Sequence, residues 1–160
     1  MLVAITRDVS PSIEQCELTH VARAPIDVEV ARAQHRAYER CLVDLGCEIC
    51  RLPVEPDLPD SVFVEDAAIV LDELAVITRP GAESRRPETL SVARALEAYR
   101  GLSHIAAPGT LEGGDVLRVG RTLYVGLSRR TDEAGIAQLR RCVTSYGYVV
   151  KTVPIEKCLH

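Results

Sequence analysis

Glu112-Gly-Gly-Asp115 sets two carboxylates on either side of a glycine pair. Glycine has no Cβ, so backbone or ligand can come close there. Two acids beside such an opening suit a cation; the competing interpretation is a β-bulge with solvated acids. A second acid pair, Glu65-Asp66, precedes an apolar run of the same kind, and Arg85 and Arg130 fall in two Ser-Arg-Arg stretches, 84–86 and 128–130. Guanidinium forks and carboxylates match in bidentate geometry. His160 could move protons, because an imidazole titrates near neutral pH, although a histidine at a chain end is ordinarily a surface group. Cys47-x-x-Cys50 has metal or redox spacing, but it falls in a predicted strand, where such residues point to opposite faces. His20, His35 and His104 show no metal-ligand spacing. The sequence contains no G-x-G-x-x-G, phosphate-loop, G-x-S-x-G or H-E-x-x-H pattern.

The elements around these residues repeat. Residues 2–6 read as a strand and 8–25 as a loop. Asp27 then caps a helix to about Leu45, with Val30, Ala33, Ala37 and Cys41 as its apolar face. Gly46 ends the helix, and a strand runs from Cys47 to Leu52, stopped by Pro53. The same order recurs. A helix over 88–100 (Leu90, Ala93, Leu96) leads to Gly101 and a strand before Pro108. A third over 132–146 (Ile136, Leu139, Cys142, Val143) leads to Gly147 and a strand before Pro154. The three glycines are 55 and 46 residues apart. Two of the units also share an acid, a hairpin turning at Asp72-Glu73 or Gly120-Arg121, and a Ser-Arg-Arg loop. Repeats of this length with ββαβ content predict an α/β fold of modules stacked around an axis. The boundaries are approximately 1–60, 61–108 and 109–154, with the next module beginning at 155–160. About three modules are thus expected, in an incomplete ring, since each module of a closed ring needs an interface on both sides.

Composition narrows the function. The 160 residues are 47% hydrophobic and 26% charged, an ordinary globular mixture, and the net charge of −4 argues against a nucleic-acid partner. The longest apolar run, Ala67 to Leu71, is far below membrane-spanning length, and the opening residues are too short for a signal peptide. Six cysteines in such a chain predict reduced thiols and a cytoplasmic protein.

Phe63-Val-Glu-Asp66, Leu111-Glu-Gly-Gly-Asp115 and Lys157-Cys-Leu-His160, with Glu17-Leu18 and the two Ser-Arg-Arg loops, resemble dimethylarginine dimethylaminohydrolase and its relatives. The resemblance runs through the whole chain and corresponds to the N-terminal part of that family's catalytic domain. It implies the guanidine-modifying (pentein) superfamily, whose fold is a five-bladed α/β propeller. It also implies roles. Glu112 and His160 are catalytic, Glu112 lying against the substrate guanidinium and moving protons. Asp66 is the second guanidinium partner. Arg85 and Arg130 reach the substrate α-carboxylate. Leu18, through its carbonyl, recognises the substrate ammonium with Asp60 and Glu65. Asp115 is assigned to support of the hairpin.

The implied reaction is hydrolysis of dimethylarginine to citrulline and dimethylamine through a cysteine covalent intermediate, with no cofactor and no metal. The family's nucleophilic cysteine lies late in its domain, and none of the six cysteines here corresponds to it. The 160-residue chain is therefore expected to be inactive alone. A methylated arginine is the expected small-molecule partner, with no nucleic acid or membrane partner, and a homo-oligomer is compatible with open module faces. The alternatives are another guanidine-modifying activity, arginine deiminase-like or amidinotransferase-like, and a non-catalytic truncated guanidine-binding fragment.

Overall fold

The computed structural model describes residues 2–19, 21–156, 158 and 160. His20, and Lys157 and Leu159 of the last quoted motif, lie outside the described residues. The chain divides into two compact units, Met1–Val64 and Glu65–His160.

The first unit is a βαβ arrangement. Strands β1 (Leu2–Arg7) and β2 (Cys47–Leu52) pair in parallel, with Leu2 opposite Cys47 and Arg7 opposite Leu52. Helix α1 (Val28–Asp44) joins them. Asp27 caps it by accepting from the amides of Glu29 and Val30, and Gly46 leaves it at φ 86°. Its inward side is not the one the apolar spacing predicted: Val30 is 51% exposed and Cys41 is exposed, while Glu39 is buried. The reason is polar. Glu39 accepts from the Thr6 hydroxyl of β1 at 2.7 Å and pairs with Arg51 of β2. A carboxylate turned inward costs free energy unless it is paired, and these partners supply the pairing.

The second unit repeats one connectivity twice. Strands β3 (Ala68–Val70) and β4 (Leu74–Ile77) form an antiparallel hairpin, helix α2 spans Glu88–Leu96, and β5 (Gly101–His104) returns parallel to β4. Strands β6 (Val116–Val119) and β7 (Thr122–Leu127), helix α3 (Glu133–Val143) and β8 (Val149–Pro154) do the same. All four residues of β4 are buried, as expected of a central strand covered on both faces. One core joins the halves: Ile69, Leu71, Leu74 and Val76 pack with Leu123, Val125, Ile136 and Leu139.

Two expectations about α2 need correction. It stops at Leu96 rather than 100, and Leu90 is 63% exposed; Leu96 faces inward as expected, joined by Val92 in place of Leu90. Gly101 is the first residue of β5 and has no positive φ, unlike Gly46 and Gly147. Among the described residues no helix is long and apolar enough to cross a membrane.

Candidate functional site

Each hairpin of the second unit is entered through a single turn of 3-10 helix, Val64–Asp66 before β3 and Gly113–Asp115 before β6. At 112–115 this turn replaces the β-bulge that was the competing expectation. The glycine pair is required by packing. A Cβ on Gly113 would stand 2.0 Å from the Glu65 carbonyl oxygen, and one on Gly114 would stand 2.5 Å from Asp66 Oδ1 and 2.8 Å from His160 Nε2. The two acid turns are therefore pressed together, and the Gly114 amide donates to Asp66 Oδ1 at 3.0 Å.

This contact gathers Asp66, Glu112 and His160, each with a donor atom within 4.8 Å of the others. Two carboxylates and an imidazole could hold a metal ion or an organic cation. Their dressing differs. Asp66 Oδ2 accepts from Arg85 at 2.8 Å, and Arg85, only 2% exposed, also pairs with Glu88 at 3.0 Å. Burial lowers the Arg85 pKa, but hydrogen bonds and charge from Glu88, then Asp66, overcome it and the net shift is upward. Glu112 is wholly buried; its Oε2 accepts from Arg130 at 3.1 Å, while its Oε1 has no hydrogen-bond partner among the described residues. Burial pushes the Glu112 carboxyl pKa up, helped by the Asp66 charge and opposed by Arg130. Glu65 is exposed as a residue, yet partial enclosure of its carboxyl group, with Asp66 next to it, also raises its pKa.

Asp115 does more than support a hairpin. Its Oδ1 lies 3.0 Å from His160 Nδ1, and its Oδ2 accepts from Ser128 at 2.9 Å and from Thr131 at 2.6 Å. Neither Ser128 nor Thr131 was singled out in the sequence. The signal available was position: both flank Arg130 in the loop whose counterpart carries Arg85. Cys158 is exposed, and its Sγ donates to the His160 carbonyl at 3.3 Å.

Leu18 and Asp60 belong to the first unit. Asp60 is buried and accepts from the Glu17 amide at 3.0 Å, which fastens the loop carrying the 38% exposed Leu18. Of the eight site residues expected from the sequence, the structure thus brings Asp66, Glu112, His160, Arg85 and Arg130 into one connected group. Glu65 adjoins that group through the chain, and Leu18 and Asp60 form a second group.

Residues 53–156 match the family model for arginine deiminase. The dimethylarginine dimethylaminohydrolase of Streptomyces coelicolor is 44% identical over 98% of this chain and 61% of its own length. That of Pseudomonas aeruginosa is 42% identical over 84% of this chain and 54% of its own. The chain therefore spans somewhat over half the length of these relatives. A solved structure of the Pseudomonas enzyme, a cysteine-to-serine mutant complexed with citrulline, superimposes with a TM-score of 0.93 at 38% identity, covering 98% of this chain and 62% of that one. The N-terminal domain of the cyanobacterial arginine dihydrolase ArgZ shares the fold at a TM-score of 0.76 and 18% identity. The chain belongs to the arginine deiminase family, within the pentein superfamily.

Proposed function

We propose that the chain is part of a hydrolase of N-methylated arginine, converting dimethylarginine to citrulline and dimethylamine. The observation that carries this reading is the buried Oε1 of Glu112, an acceptor with no hydrogen-bond partner among the described residues, in a group with Asp66 and His160. A planar guanidinium supplies several N–H donors and a positive charge, which is what two adjacent carboxylates need when desolvated. The names of the relatives at 42–44% identity favour methylated arginine as the substrate.

In this reading Glu112 and Asp66 hold the guanidinium and align its central carbon. A cysteine thiolate adds to that carbon, the C–N bond to dimethylamine breaks, and His160 gives the leaving amine its proton. His160 then takes a proton from water as it attacks; the C–S bond breaks, the thiol is released and citrulline leaves. Arg130 and Arg85 hold the α-carboxylate, Arg130 being the more accessible of the two. Leu18, Asp60 and Glu65 recognise the substrate ammonium. The three module boundaries inferred from the repeat belong to the same proposal. None of the six cysteines corresponds to the nucleophile, so the 160-residue chain alone is proposed to be inactive. Citrulline formed by this chain, and abolished by Glu112→Ala, would overturn that point.

A second reading is favoured by the family model, whose name is arginine deiminase. Assaying the complete gene product on arginine, monomethylarginine and dimethylarginine separates them. Release of dimethylamine from dimethylarginine supports the first; release of ammonia from arginine alone supports the second.

A further inference from the structure

The two acid turns occupy equivalent places in the repeat, yet their carboxylates are held in opposite ways. Asp66 is held by a cation, Arg85. Asp115 is held by two neutral hydroxyls, Ser128 and Thr131, both donating to Oδ2. The difference arises in the Ser-Arg-Arg loops, which continue with Pro87 in one case and Thr131 in the other. A guanidinium donates in a charge-assisted, fork-shaped contact, whereas a hydroxyl is a neutral donor that can also accept from a third group. Asp115 is thereby oriented through Oδ2, and its other oxygen, Oδ1, faces His160 Nδ1.

Thr131 is the residue with two ends in this arrangement. Its side chain is entirely buried. Its hydroxyl donates to Asp115 Oδ2 at 2.6 Å and accepts from the backbone amide of Glu112 at 3.1 Å. The loop carrying it is closed on itself, since the Thr131 and Arg130 amides donate to Ser128 Oγ and the Ser128 amide donates to the Thr131 carbonyl. The hydroxyl is thus fixed in place before it meets either partner.

We propose that Thr131 is a positioning residue for His160: it orients Asp115 so that the neutral imidazole carries its proton on Nδ1 and leaves Nε2 bare beside Asp66 and Gly114. An ionised carboxylate can only accept, so the nitrogen it faces must be the one that bears hydrogen. The bare Nε2 then lies on the side of the cation group, where a Cβ on Gly114 would stand 2.8 Å from it. Through the same hydroxyl, the backbone of Glu112 is held in register with the histidine. This rests on the function proposed above for its catalytic meaning, but its geometry does not.

The test is a long-range 1H–15N correlation spectrum of the side chain of His160, recorded with the imidazole neutral, on wild-type protein, Thr131→Val and Thr131→Ser. No ligand is added, so the result is independent of whether a guanidinium binds. Wild type and T131S are expected to show the Nδ1–H tautomer, and T131V to lose it. A wild-type spectrum with hydrogen on Nε2 overturns the proposal, even if T131V does not fold. So does a folded T131V that keeps the wild-type tautomer. A merely structural role for Thr131 would change stability without moving the proton.

Discussion

Arg130 Nη1 lies 3.1 Å from Glu112 Oε2, while the other oxygen of that buried carboxylate has no hydrogen-bond partner among the described residues. One arginine of the chain therefore satisfies half of the acid. Leaving a buried acceptor unmet costs about 1–3 kcal/mol. A cationic ligand that reaches Oε1 recovers that cost on binding, which links local instability to affinity.

Glu112→Gln is expected to raise stability at neutral pH. Burial raises the native-state pKa of Glu112 above its ordinary value of 4.5, so the native state holds this proton more tightly than the unfolded chain. The stabilisation from that proton is complete below about pH 4.5 and is lost as pH rises through the native-state pKa. Wild type should match the variant in acid and fall behind it above this window, as read from urea unfolding midpoints across pH. Guanidinium binding to wild type should strengthen with pH over the same window, because the ionised carboxylate is the form that binds.

Arg85→Met should be far more damaging than a loop substitution. It leaves Asp66 and Glu88 buried without their shared cation, a loss of about 3–5 kcal/mol. Denaturant unfolding of the variant checks this. A change within about 0.5 kcal/mol, typical of surface sites, would mean that the ion pairs contribute nothing net.

Gly113→Ala should destabilise by about 1–3 kcal/mol, because the new methyl group meets the Glu65 carbonyl and the two acid turns must part. Gly101→Ala should be nearly neutral: that glycine has open space around its Cβ position and no positive φ. Thermal melts of the pair separate a glycine needed for close approach from one that only punctuates the repeat.

The sequence made the repeat legible because Gly, Pro and acid-hairpin signals act locally. Asp27 as a cap and Gly46 and Gly147 as helix ends needed only their neighbours. What could not be read were contacts set by partners far along the chain. Glu39 is the buried residue of α1, and its partners Thr6 and Arg51 lie on strands far from it in the chain. The resemblance assigned Arg85 to the substrate α-carboxylate, but its enclosure by Asp66, 19 residues earlier, and Glu88 could not be read from the loop. Asp115 resembled a hairpin acid because the histidine it meets lies 45 residues away.

If Asp66 and Glu112 form a guanidinium site, amide NMR titration with dimethylarginine detects it. Saturable shifts are expected at the amides of residues 112–115 in the wild-type chain. Affinity should be about tenfold or more weaker in Glu112→Gln, the effect of losing about 1.5–3 kcal/mol of charge-assisted hydrogen bonding. Amides at 112–115 that do not move in wild type, or equal affinity in the variant, would contradict it.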